Sequence, residues 1–100
     1  MSRDASGPGA KAPLPYRSTP VFDSDSLPDA LRNRHATKAG VWGVIRVIEG
    51  RLRLTCLDPF SEHMLDPDHA GMLQPEQAHF VTPEGAMRMQ IDFYDQPPGG

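Results

Sequence analysis

The chain has a single cysteine, Cys56, among its 100 residues, which excludes an internal disulfide framework and agrees with a reducing compartment. It has no apolar run approaching the ~20 residues that span a bilayer, and Met1-Ser2-Arg3-Asp4 leads into Gly, Ala and Pro instead of the apolar core of a signal peptide. It has no cluster of positive charge. The net charge is −3 and the basic residues (Lys11, Lys38, Arg51, Arg88) are scattered singly, so the counterion release that drives nucleic-acid binding has no footprint here. No Ser-His-Asp order, no clearly spaced pair of catalytic carboxylates and no glycine-rich phosphate loop can be pointed to. These absences predict a cytoplasmic protein that binds neither nucleic acid nor membrane. At this length there is material for one domain with one core.

What is present is strand signal punctuated by proline and glycine. Residues 1–13 carry no periodic apolar pattern and read as a disordered tail, and 96–100 read as a flexible one, which leaves a working domain at 14–95. Val41 to Ile48 and Arg51 to Leu57 flank Glu49-Gly50, the expected form of a hairpin turn. Pairing Ile48 with Arg51 places Ile45, Val47, Leu52, Leu54 and Cys56 on the core face. Trp42, Val44, Arg46, Arg51, Arg53 and Thr55 fall on the other, with Arg46 opposite Arg53. Met87 to Tyr94 alternates cleanly, with Met87, Met89, Ile91 and Phe93 inward. Met64-Leu65, Met72-Leu73 and His79-Phe80-Val81 are shorter segments between Asp66-Pro67-Asp68, Gly71, Pro75 and Pro83. Strands at this spacing predict an all-β antiparallel sandwich or barrel. Only 26–34 reads as helical, with Ser26 as N-cap, Pro28 in the first turn and Leu27, Ala30 and Leu31 on one side, and it delivers the chain to His35.

The chemistry-bearing residues are few. His35 and His79 each introduce a β segment, an arrangement by which a small fold brings metal-capable side chains together from distant parts of a sequence. Each also has a structural reading, as a hydrogen-bonded wall residue or a tie between helix and sheet. His63 and His69 lie among Asp, Glu and Pro and read as solvated loop residues. Lys38 is a surface lysine or an anion contact, Trp42 packing or a stacking platform. Met64, Met72, Met87 and Met89 read as core filler, with ligation of a soft metal or metalloid the alternative. Cys56 reads as an inert buried thiol.

The segments Leu14-Pro15-Tyr16, Ser18-Thr19-Pro20-Val21-Phe22, Leu27-Pro28, His35, Thr37-Lys38, Gly40, Trp42-Gly43, Gly50, Pro75, His79 and Phe93-Tyr94 together resemble the small cupin domain of the tellurite-resistance protein B type. The resemblance implies a single-domain double-stranded β-helix, or jelly-roll barrel, often dimeric, with a pocket in its mouth and a loose association with tellurite or related stress. It does not imply methylation by this chain, since the family's methyltransferase activity belongs to another domain. Against the wider cupin pattern, His35 matches the first histidine, Thr37 or Lys38 occupies the second slot and Gly43 the glutamate slot, while Gly71, Pro75 and His79 stand in the order of the second motif. A divalent metal (zinc, iron or nickel) on His35 and His79 would take a third ligand from Glu76, His63 or Glu62, with Thr37, Lys38, Trp42 and Gln77 around the ligand. Three functions follow as expectations: a stress-response module binding a metal or small oxyanion, a metal-dependent enzyme with Glu76 as general base, or a metal-free homodimerisation scaffold in which the hairpin and Tyr94 face pack across a two-fold axis.

Overall fold

The structure, a computed structural model, describes residues 14–98. The expected tail at 1–13 lies outside the described residues, as do the last two positions of the other tail. The elements in chain order are β1 (Arg17–Ser18), β2 (Phe22–Asp23), α1 (Asp29–Arg32), β3 (Trp42–Glu49), β4 (Leu52–Cys56), β5 (Ser61–Leu65), β6 (Gly71–Leu73), β7 (His79–Pro83) and β8 (Arg88–Tyr94). They form two antiparallel sheets. In the five-stranded sheet β1 and β2 pair successive parts of β8, β8 pairs β3, and β3 pairs β6. In the three-stranded sheet β4 lies between β5 and β7. One apolar cluster lies between them, drawing Ile45, Val47, Met89 and Ile91 from the first sheet and Leu52, Leu54, Leu65 and Val81 from the second. The all-β, single-domain expectation with one short helix therefore holds, although the two sheets do not close into a barrel.

The expected hairpin does not exist. β3 and β4 are neighbours in sequence yet belong to opposite sheets, and Glu49-Gly50-Arg51 is a crossover. A register shift between Val47 and Glu49 lets β3 stay with β8 to its last residue, where Glu49 faces Arg88. Gly50, at φ 79°, then turns the chain against the backbone of the other edge. A Cβ there would collide with the Ala86 carbonyl and come within 2.9 Å of Met87 Cα. Arg46 accordingly stands beside β8, not Arg53. It binds Asp92 through both nitrogens of one edge, Nε to Oδ2 at 2.6 Å and Nη2 to Oδ1 at 3.0 Å, while Arg53 pairs with Glu84 at 2.7 Å.

Inward-facing residues follow the two-residue period, with Ile45, Val47, Leu52, Leu54 and Cys56 all buried. Two outward positions break it. Thr55 is buried because its same-face neighbours on the flanking strands, Glu62 and Phe80, rise above its short side chain. Asp92 is 7% exposed, flanked in the sheet by β1 and β3, and Ser18 Oγ donates to Oδ1 at 2.6 Å. The Arg46 hydrogen bond, then that of Ser18, holds the Asp92 carboxyl below its ordinary value against the opposing effect of burial. Met87 and Met89 fill the core as expected, but Met64 and Met72 are exposed, since they sit on outward positions of edge strands.

The helix is one turn. Pro28, not Ser26, occupies the N-cap position and contributes no side-chain bond. Ser26 belongs to the turn before it, where Asp23 Oδ1 accepts from the Asp25 and Ser26 amides and Ser26 Oγ accepts from the Asp23 amide. Leu27 is buried and Leu31 half-buried, but Ala30 is exposed, because a single turn presents only one of its sides to the sheets. No helix among the described residues is long and apolar enough to cross a membrane.

Candidate functional site

After α1 the chain runs along the free edge of β7. His35 and His79 exchange backbone hydrogen bonds, His35 N–H to His79 O at 3.0 Å and His79 N–H to His35 O at 2.8 Å. Residues paired in this way project their side chains to the same side. The two imidazoles therefore meet edge to face, with centroids 4.1 Å apart and planes at 62°. Two positions farther on, the Glu76 amide donates to the Thr37 carbonyl at 3.0 Å, so 35–37 is stitched to 75–79 at two points.

Both rings are held alike. His35 Nδ1 lies 2.8 Å from the Asn33 carbonyl and His79 Nδ1 lies 2.9 Å from the Gln77 carbonyl, each two residues back along the chain. A carbonyl oxygen only accepts, so each Nδ1 carries the hydrogen, and in the neutral ring Nε2 keeps the lone pair. This is the orientation in which a metal-ligating histidine is normally fixed. His79 is only 2% exposed; burial, reinforced by the neighbouring His35 and opposed by the Gln77 carbonyl, pushes its pKa below the ordinary imidazole value and favours the neutral ring.

The pair lines a cavity of about 280 Å³ at this end of the sandwich. Its floor is apolar, made by Leu73, Ile91 and Phe93 of the five-stranded sheet. Thr37 and Lys38 line it beside His35, and Tyr16 and Arg17 line it from β1 and the residue before it. Arg17 sits over the Phe93 ring, 5.5 Å from its centroid. The Thr37 hydroxyl donates to the Val41 carbonyl at 2.7 Å and so shapes the loop that carries Lys38. No aspartate or glutamate is among the described residues that line the cavity.

The other expected site residues lie elsewhere. Glu76 is exposed at φ 63°, is not in the lining, and contributes its backbone to the stitch with Thr37. Gln77 contributes its carbonyl to His79, and Trp42 is half-buried on β3 opposite Tyr94; neither side chain lines the cavity. His63 is on a strand, not a loop. It is exposed on β5, 3.0 Å from the Ser61 hydroxyl through Nε2, and lines a separate pocket with Leu54, Leu65 and Gly71. Glu62 is exposed on the same strand. His69 lies in the Asp66–His69 turn, where Asp66 raises its pKa. Among the described residues no group of three or more His, Cys, Asp or Glu side chains converges as a metal site. Sequence reasoning missed Arg17, whose place over the cavity depends on the pairing of β1 with β8 and leaves no local signal.

A family model described as the TehB-like domain matches residues 17–91. A probable S-adenosyl-L-methionine-dependent methyltransferase TehB of Haemophilus influenzae is 36% identical over 53 residues, which are 49% of this chain and 18% of that protein. The chain thus spans less than a fifth of the curated relatives it matches. The crystal structure of TehB from Haemophilus influenzae superposes with TM-score 0.76 at 28% identity, covering 83% of this chain and 31% of that one. A protein from E. coli K12 superposes with TM-score 0.75 at 21% identity over 94% of this chain and 99% of that one. FeII HppE does so with TM-score 0.57 at 19% identity, covering 74% of this chain and 40% of that one. The last two likenesses show the fold.

Proposed function

Because the chain belongs to the TehB-like domain family, we propose that it acts as a ligand-binding module of the tellurite-resistance and stress-response type, in which His35 and His79 hold a divalent metal. The observation that carries this reading is the shared anchoring of the two rings. Each Nδ1–H is tied to a carbonyl, and each Nε2 is left as a donor nitrogen in a cavity both rings line.

The residues present fit such an ion by the chemistry of their donors. Two neutral imidazoles suit zinc, iron or nickel, and the positions that protein side chains do not fill go to water or to the ligand itself. When bound, the ion would supply a point of positive charge that attracts an anionic ligand. The chain's own residues do the rest. His35 and His79 hold the centre, the apolar floor restricts water, and Lys38 and Arg17 add charge of the same sign at the rim. We do not carry over the relatives' methylation, because the chain matches only a small share of them and its sequence offers no glycine-rich nucleotide loop.

The test is the metal content and metal titration of protein purified without chelator, repeated for His35→Ala and His79→Ala, with circular dichroism as the check on fold. One equivalent of zinc, iron or nickel in the wild type, lost from both folded variants, supports the reading. A wild type that takes up none of the three metals ends it.

A further inference from the structure

We infer that the cavity's ligand is a small organic carboxylate, with its anionic group between Arg17 and Lys38 and its hydrocarbon body on the floor formed by Leu73, Ile91 and Phe93. The inference rests on the cavity being a ligand site, as proposed above, but not on the metal.

Charge gives the first half of the argument. The arginine–carboxylate pairs among the described residues are Arg46–Asp92, Arg53–Glu84 and Arg88–Glu49, so among those residues no acid is matched to Arg17 or Lys38. Both line a cavity that holds no carboxylate of its own, and a bound anion would complete them. Arg17 is well placed for this. Its backbone is fixed by β1 pairing with β8 and by Tyr16 N–H to Phe93 O at 2.9 Å, and its guanidinium rests on the Phe93 ring, so its charge is held at the rim with little freedom left to lose.

The floor gives the second half. A cavity of about 280 Å³ is far larger than one water or one inorganic oxyanion needs. Seating a strongly hydrated oxyanion against Leu73, Ile91 and Phe93 strips its water without replacing it. A carboxylate with a short aliphatic or aromatic tail keeps its polar end at the cations and buries the rest, matching the combination of apolar walls and a few polar groups that distinguishes small-molecule pockets.

The experiment is calorimetric titration of chelator-treated protein with butyrate, hexanoate, benzoate, the neutral isostere benzamide, and sulfate. Expected is one-to-one binding of the carboxylates that strengthens from butyrate to hexanoate, with benzamide and sulfate giving none. Arg17→Gln and Lys38→Gln should each weaken hexanoate by roughly tenfold, the usual effect of removing a charged hydrogen-bond partner. Lys38→Gln, in an exposed loop, covers the case in which Arg17→Gln unseats β1. Sulfate binding as tightly as hexanoate, benzamide matching benzoate, no carboxylate binding, or unchanged affinity in both variants overturns the inference. Carboxylate binding by a protein that takes up no metal ends the metal reading alone, and metal uptake without carboxylate binding ends this one alone.

Discussion

His79 and His63 flank the same strand. In the three-stranded sheet His79 of β7 stands beside Cys56 of β4, and His63 of β5 stands beside Leu54, two residues earlier on β4. One is 2% exposed, tied through Nδ1 to a carbonyl and set against a second imidazole; the other is exposed and hydrogen-bonds through Nε2 to a serine hydroxyl of its own strand. The difference comes from what covers each edge. β7 has the segment 35–37 stitched along it, which buries His79 and roofs the larger cavity, whereas no strand or bridge among the described residues pairs with the outer edge of β5. Residue type is the same at both places, and the covering segment makes one of them a candidate site.

The largest expected effect comes from removing each ring. His79→Ala leaves a void in the core and an unpaired Gln77 carbonyl, and should cost about 2–4 kcal/mol in denaturant unfolding together with the loss of metal uptake. His63→Ala should fall within about 0.5 kcal/mol of wild type, as surface changes do, and keep the metal. Equal losses from the two would erase the distinction between the edges.

The second test fills the smaller pocket. Gly71 lies in its wall, and a Cβ there would stand 2.7 Å from Leu65 Cδ1 and 3.0 Å from Leu54 Cδ2. Gly71→Ala should cost about 1–3 kcal/mol through overpacking while leaving metal and hexanoate affinity unchanged. A ligand affinity that falls with stability would show that the two pockets are coupled through β6, which supplies Leu73 to the floor of the other cavity.

Much of this framework is legible in the sequence, and the parts that are not share a cause. The alternation in Met87 to Tyr94 is written directly into the chain, as is the inward set Ile45, Val47, Leu52, Leu54 and Cys56, because the two-residue period of a strand is a local property. Strand partners are not local. Glu49-Gly50 has the length of a hairpin and serves as a crossover, and the choice is made by the register shift that keeps Glu49 on Arg88 and by the backbone of 86–87 against Gly50. The site divides in the same way. Residues 35 and 79 announce themselves as histidines opening β segments, and Thr37 and Lys38 follow His35 into the cavity lining. Arg17 and the burial of Asp92 arise from one pairing across most of the chain, Ser18 with Asp92, which no window of sequence contains.

The smallest effect is the sign of two pH dependences, read from chelator-treated protein. Burial first, then the nearby His35, lowers the folded pKa of His79 below the unfolded value of about 6.5. Between those two values the folded state binds fewer protons than the unfolded one, so stability is complete above about pH 6.5 and falls as acid carries the solution down to the folded pKa. His69 runs the other way, because Asp66 raises its folded pKa. Its contribution is complete below about pH 6.5 and fades as pH climbs through the raised value, and it is small because the pair is exposed. Unfolding midpoints from pH 5 to 8 should therefore lose part of their acid sensitivity in His79→Gln, while His69→Gln should slightly lower stability on the acid side of the same range. If His79→Gln kept the full loss of stability near pH 6, the buried edge would not be the source of that slope, and the contrast between the two strand edges would rest on geometry without an energetic counterpart.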